Sequence, residues 1–91
     1  MIYEKTAFDG VYVINPTVFE DERGFFYESY SLNDFSVNGL KYNFVQDNHS
    51  YNKYKNTLRG LHYQMQPKSQ TTLVRVVSGE MIDFVVDIRK N

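Results

Sequence analysis

Short apolar runs separated by turn residues make up most of the chain. In "VYVINPTVF", residues 11–19, β-branched and aromatic residues lie on both sides of Pro16. Proline has no amide proton for a ladder, so the pattern predicts a strand interrupted at Asn15-Pro16. "EDERG", 20–24, reads as a turn. "FFYESYS", 25–31, reads as a strand, with Phe25, Tyr27 and Ser29 on one face and Phe26, Glu28 and Tyr30 on the other. "LNDFSVNGL", 32–40, has room for one helical turn, capped by Asn33 and stopped by Gly39.

The second half continues in the same way. "YNFVQDNHSY", 42–51, reads as a polar strand, "NKYKN", 52–56, as a loop, and "TLRGLHYQ", 57–64, as another strand. The clearest hairpin signal is "TLVRVV" at 72–77, "SG" at 78–79 and "EMIDFVVDIR" at 80–89. Along its second arm Ile82, Phe84, Val86 and Ile88 form an apolar face, opposite Met81, Asp83, Val85, Asp87 and Arg89. Many short strands with at most one short helix point to an all-β sandwich or barrel. About six strands fall short of the eight of a jelly roll, so the expected barrel is incomplete. Its open edge must stay short or be covered by another chain.

Composition narrows the reading. The chain's 91 residues suit one small domain, residues 1–91, and 42% apolar content is enough to expect folding. Ten basic and 11 acidic residues give a net charge of −1, which argues against a nucleic-acid surface or a polybasic membrane anchor. Cysteine is absent, so thiolate metal sites and disulfides are excluded. "MIYEKTAFDG" does not read as a signal peptide and no segment is long enough to span a bilayer, so a cytoplasmic location is the default expectation.

Candidate chemistry centres on "LRGLHYQ". On a regular strand Arg59 and His62 point to opposite faces. A bulge at Gly60 shifts the phase by one and lets both side chains enter one cavity. A guanidinium that holds phosphate or carboxylate beside a neutral imidazole suits an anionic substrate handled by a base. The plainer reading is a half-exposed histidine and a surface arginine, and local sequence alone favours it. Gln46 and Asn48 share a strand face opposite His49; they read either as amides for a polar ligand or as a polar edge. Arg23 closes an acidic turn, and Phe26 and Glu28 alternate after it, lining a site or a subunit contact. Asp83 either orients a histidine across the barrel or faces water. The two histidines, 49 and 62, lack close metal-ligand spacing, so no metal is expected.

Taken together, "FEDERGFFYESY" (19–30), "FVQDNHSY" (44–51), "LRGLHYQ" (58–64) and "LVRVVSGEMIDFVVDIR" (73–89) resemble the dTDP-4-dehydrorhamnose 3,5-epimerase family, in order and at similar spacing. The resemblance covers nearly the whole chain but only the N-terminal half to two-fifths of the family's pattern. It implies a cupin-type jelly roll, usually a homodimer whose N-terminal strands cross to the partner. It implies cofactor-free epimerisation at C3 and C5 of a dTDP-4-keto-6-deoxy sugar, on the way to dTDP-rhamnose. By the family's pattern His62 corresponds to the general base. Arg59 and Arg23 match substrate-binding arginines, Gln46 and Asn48 match residues near the substrate, and Phe26 and Glu28 match positions near the ligand and the dimer contact. Two departures stand out. Thr72 occupies the place of a family lysine near the enolate oxygen, with Lys68 four residues away. The family's tyrosine acid and the aspartate that pairs with the histidine lie in its C-terminal half, outside the matched pattern. A complementing C-terminal polypeptide is one way to supply them; the alternative is a non-catalytic sugar-nucleotide-binding module or an inactive truncated member.

Overall fold

The computed structural model describes residues 1–66 and 69–89. Four strands and one helix follow in order: β1 (Ile2–Lys5), β2 (Tyr12–Asn15), β3 (Val18–Asp21), β4 (Gly24–Tyr27) and α1 (Leu32–Val37). The contacts divide the chain into Met1–Asn43 and Phe44–Asn91. All five elements lie in the first unit.

Within Met1–Asn43, β1 pairs antiparallel with β2, placing Tyr3 opposite Ile14 and Lys5 opposite Tyr12. The pleat sends Tyr3, Tyr12 and Ile14 to a half-buried face and leaves Ile2, Glu4, Val13 and Asn15 exposed, as period-two alternation requires. On the exposed face the Asn15 amide donates to Glu4 Oε1 at 3.0 Å. The loop between these strands is tied by Thr6, whose hydroxyl donates to the Val11 carbonyl at 2.8 Å. The apolar–polar pattern gave no element to "IYEK"; four residues are too few to carry a period, and β1 owes its existence to its register with β2. The break expected at Asn15-Pro16 is present: β2 ends at Asn15 and β3 begins at Val18.

The β3–β4 hairpin pairs Phe19 with Phe26 and Asp21 with Gly24, leaving Glu22 and Arg23 as its two-residue loop. Gly24, at φ 139°, adopts a backbone that side chains other than hydrogen rarely tolerate. Phe25 and Tyr27, two residues apart on one face, stack at 6.0 Å and 9°.

Helix α1 starts at Ser31 rather than Asn33: the Ser31 side chain accepts from the Asp34 amide at 3.1 Å. The first helical bond, from the Phe35 amide to the Ser31 carbonyl at 3.0 Å, fixes the cap there. At the other end Gly39, at φ 84°, donates its amide to Ser36, and Leu40 donates to Phe35 at 2.8 Å. This is a Schellman closure, with Gly39 as the left-handed residue that the sequence proposed as the stop. Phe35 and Leu40, 2% and 5% exposed, are the buried hydrophobic residues among those described. Phe35 meets the Tyr3 ring edge-on at 5.5 Å and the Tyr30 ring at 4.7 Å.

In Phe44–Asn91 the strands expected at 42–51, 57–64, 72–77 and 80–89 do not form ladders among the described residues. The backbone does turn at Gly79, φ 87°, where the hairpin turn was expected. Strand propensity expresses packing on a pleated, half-buried surface. Here Ile82, Phe84, Val86 and Ile88 are 81%, 66%, 61% and 58% exposed, with no layer against them among the described residues. An isolated hairpin is marginal without such a layer. The observed strands are all antiparallel and no barrel closes among the described residues. The all-β expectation therefore holds at the level of two small sheets.

Candidate functional site

Two groups of the expected site residues occur, one in each unit. In the first, Arg23 sits in the β3–β4 loop with its side chain 87% exposed. Its amide donates to Asp21 Oδ1 at 2.8 Å, and its Nε and Nη2 donate to Asp21 Oδ2 at 3.1 and 2.6 Å. The Arg23 side-chain bonds, then its backbone bond, hold the Asp21 carboxyl below the usual carboxylate range. The guanidinium is thus tethered along its Nε–Nη2 edge, and its remaining N–H groups stay available to a second anion.

Phe26 and its cross-strand partner Phe19 are 70% and 63% exposed. With Arg23, Gly24 and Phe25 they line an open concavity of about 480 Å³. Glu20 and Asp21 line it as well, so the one cation shares the concavity with two carboxylates and the aromatic faces. Glu28 follows β4, is exposed, and contributes to the field at Tyr3. The Tyr3 hydroxyl donates to Asp34 Oδ2 at 2.6 Å. Burial first, then that hydrogen bond and the negative charges of Asp34 and Glu28, push the phenol up to about 12.

In the second unit, the Gln46 amide donates to Asn48 Oδ1 at 3.3 Å, so the two amides expected on one face do meet. Arg59 and His62 flank Gly60, whose φ of 87° bends the chain between them. The His62 ring folds back over this glycine: a methyl group in place of the Gly60 hydrogen would lie 3.1 Å from His62 Nδ1. Arg59, His62, His49, Thr72 and Asp83 are all exposed. No hydrogen bond joins Arg59 to His62, or Asp83 to either histidine, among the described residues. Lys68 lies outside the described residues. Farther on, Asp87 accepts from Arg89 Nε at 2.9 Å and from its amide at 3.0 Å, which pulls the carboxyl down to about 2.

Sequence reasoning did not single out Phe19 or Asp21. Phe19 carried a signal all the same, since a two-residue loop at 22–23 sets it opposite Phe26. Asp21 carried little, because one carboxylate among three acids looks like any solvated turn. Among the described residues, no group of three His, Asp or Glu side chains is placed to hold a metal ion, and no helix is long and apolar enough to cross a membrane.

Comparison with known proteins places the chain as a whole. The family model for dTDP-4-dehydrorhamnose 3,5-epimerase matches residues 5–91. A protein of that name from Salmonella typhimurium is 54% identical over 91 residues, covering 99% of this chain and 49% of the relative. One from Methanothermobacter thermautotrophicus is 49% identical, over 96% of this chain and 46% of the relative. One from Escherichia coli K12 is 47% identical, over 96% and 47%. No solved structure matches the fold. The chain therefore spans about half the length of the curated relatives it matches, and by sequence it belongs to the dTDP-4-dehydrorhamnose 3,5-epimerase family.

Proposed function

We propose that this chain carries the base and part of the substrate site of a dTDP-4-keto-6-deoxy sugar 3,5-epimerase. One observation carries the reading: a match of 54% overall identity covers 99% of the chain, and so spans every segment that holds a candidate residue. The fold that goes with it is a cupin-type jelly roll, with residues 1–91 forming part of one domain, working in the cytoplasm as a homodimer or with a complementing polypeptide.

The chemistry follows from the substrate. C3 and C5 both flank the C4 ketone, so removing either proton gives an enolate delocalised onto the ketone oxygen. His62, as a neutral imidazole, takes the proton. In the second unit Arg59 is assigned to the diphosphate or sugar; in the first, taken by itself, Arg23 is assigned to an anionic group of the substrate and Phe26, with Phe19 opposite it, offers an aromatic face. Gln46 and Asn48 bond the sugar hydroxyls, Glu28 lies near the nucleotide, and Asp83 orients the imidazole. His62 keeps the proton it took, and inversion needs a second acid to deliver another to the opposite face of the same carbon. By the resemblance that acid is a tyrosine in the part of the family's pattern this chain does not match. The exchange involves no net redox change and no cofactor. Thr72 gives the enolate oxygen one uncharged donor where the family has a lysine. Loss of one such donor typically costs about 3 kcal/mol of transition-state stabilisation. That substitution is the specific ground for a second reading, a sugar-nucleotide-binding module without turnover.

Incubation with the 4-keto sugar nucleotide in deuterated water separates the readings. The epimerase reading expects deuterium at C3 and C5. Binding of dTDP without exchange supports the binding module. Neither binding nor exchange rejects both.

A further inference from the structure

Arg23 supplies the positive charge of the β3–β4 concavity, and with 87% of its side chain exposed, packing does little to hold it. A surface arginine that rotates freely loses rotamer freedom when it binds a ligand. That loss weakens binding roughly two- to tenfold.

Asp21 changes this starting point. It ends β3 opposite Gly24, two residues before Arg23, and its carboxylate divides its oxygens between two tasks. Oδ1 accepts the Arg23 amide at 2.8 Å and so ties the loop. Oδ2 accepts from Nε at 3.1 Å and from Nη2 at 2.6 Å, and so ties the guanidinium. A guanidinium offers its N–H groups in a rigid fork and can hold an anion bidentately along more than one edge. Asp21 occupies the Nε–Nη2 edge. The Nη1–Nη2 edge is left for a second anion. Charge works the other way, since Asp21 and Glu20 both line the concavity and repel an incoming anion. An anion on the far edge is separated from Oδ2 by the guanidinium itself. At this exposure water and salt screen that repulsion, while Oδ2 touches the guanidinium directly.

We infer that Asp21 is a positioning residue: it holds the Arg23 guanidinium by one edge so that the other meets an anionic group of the substrate end-on. The inference rests on the assignment of Arg23 to the substrate, and adds the residue that presents it.

The test uses the 91-residue chain with dTDP as the probe, near physiological salt. Asp21→Asn is the discriminating change. Its amide oxygen can still accept the Arg23 amide and keep the loop tied, whereas its NH2 group cannot accept from the guanidinium. Arg23→Lys keeps the cation and removes the fork. ¹⁵N relaxation at Arg23 Nε reads the tether, a dTDP titration reads binding, and cross-strand contacts between Phe19 and Phe26 read the hairpin. The expected order parameter at Nε lies above roughly 0.6 in the wild type and below it in Asp21→Asn. Affinity for dTDP should fall about two- to tenfold with the hairpin contacts retained. In an Arg23→Lys background, Asp21→Asn should not weaken dTDP binding. Unchanged or tighter binding by Asp21→Asn alone would overturn the inference, because Asp21 would then act by repulsion or not at all. An equal loss in both backgrounds, or loss of the hairpin contacts, would assign the carboxylate to folding and overturn it too. So would an Arg23 Nε as mobile in the wild type as in the variant. If the order parameter falls as expected but the wild type does not bind dTDP, the tether stands and the assignment of Arg23 to the substrate is rejected alone.

Discussion

Tyr3→Phe is the most informative single change in the first unit. It removes one oxygen, and with it the 2.6 Å bond to Asp34, while leaving the edge-on contact with Phe35 in place. A hydrogen bond to a charged acceptor contributes about 1.5–3 kcal/mol when well buried. Tyr3 is only half-buried, and water screens the bond. The expected loss is therefore about 1 kcal/mol. The pH dependence gives an independent handle. The phenol ionises near 10.0 in the unfolded chain and near 12 in the folded one. Between those values the unfolded state has released a proton that the folded state retains. Stability therefore is fully present below pH 10, declines as pH rises through the interval and loses this contribution above 12. NMR of ¹³C-labelled tyrosine reads the ionisation, and urea unfolding followed at the Phe35 ring reads the stability. Wild type should show one of its eight tyrosines titrating late and an unfolding midpoint that falls across the interval. Tyr3→Phe should lack the late step, start lower at neutral pH and show a flatter alkaline decline. The reasoning fails if all eight tyrosines titrate together and the variant unfolds like the wild type.

Three further predictions are more direct. Phe35→Ala should cost about 3 kcal/mol, the low end for a buried phenylalanine because few residues share its burial, and circular dichroism should show the helix lost. Gly39→Ala meets no atom within 4 Å, so its expected cost of about 1 kcal/mol is backbone strain at φ 84° alone, read as a lower urea midpoint. Arg89→Ala should raise the Asp87 carboxyl from about 2 towards 3.8 in a carboxyl NMR titration. Because the folded value is the depressed one, the pair's contribution is present above 3.8 and disappears as pH falls towards 2.

The sequence was readable where structure is made locally. Helix α1 needs only a serine cap, one turn and a glycine, all within residues 31–40, and only its cap was displaced by two positions. The break at Pro16 is equally local, and so is the turn, expected over 20–24 and found at 22–23 because Glu20 and Asp21 extend β3 and Gly24 opens β4. β1 was not readable, because "IYEK" becomes a strand through pairing across a loop, with Tyr3 set opposite Ile14. The strong hairpin signal at 72–89 had the converse fate. Its second arm sets an apolar face, Ile82 to Ile88, against one that carries Asp83, Asp87 and Arg89, and among the described residues that apolar face stays more than half exposed. For the site, Gln46 and Asn48 were expected on one strand face and Gly60 at a strand bulge; neither strand forms among the described residues, although the two amides bond one another and the chain bends at Gly60. The Asp21 tether on Arg23 was not foretold, since it depends on the hairpin geometry that returns the guanidinium to a carboxylate two residues back.

The most direct measurement compares wild type with His62→Ala for deuterium uptake at C3 and C5 of the 4-keto sugar nucleotide, with dTDP affinity measured on both. The account predicts uptake by the wild type, a fall of at least 100-fold in the variant, and dTDP affinity unchanged within a factor of about two. Equal uptake by both proteins would contradict it, because the proton would then be leaving to some base other than His62.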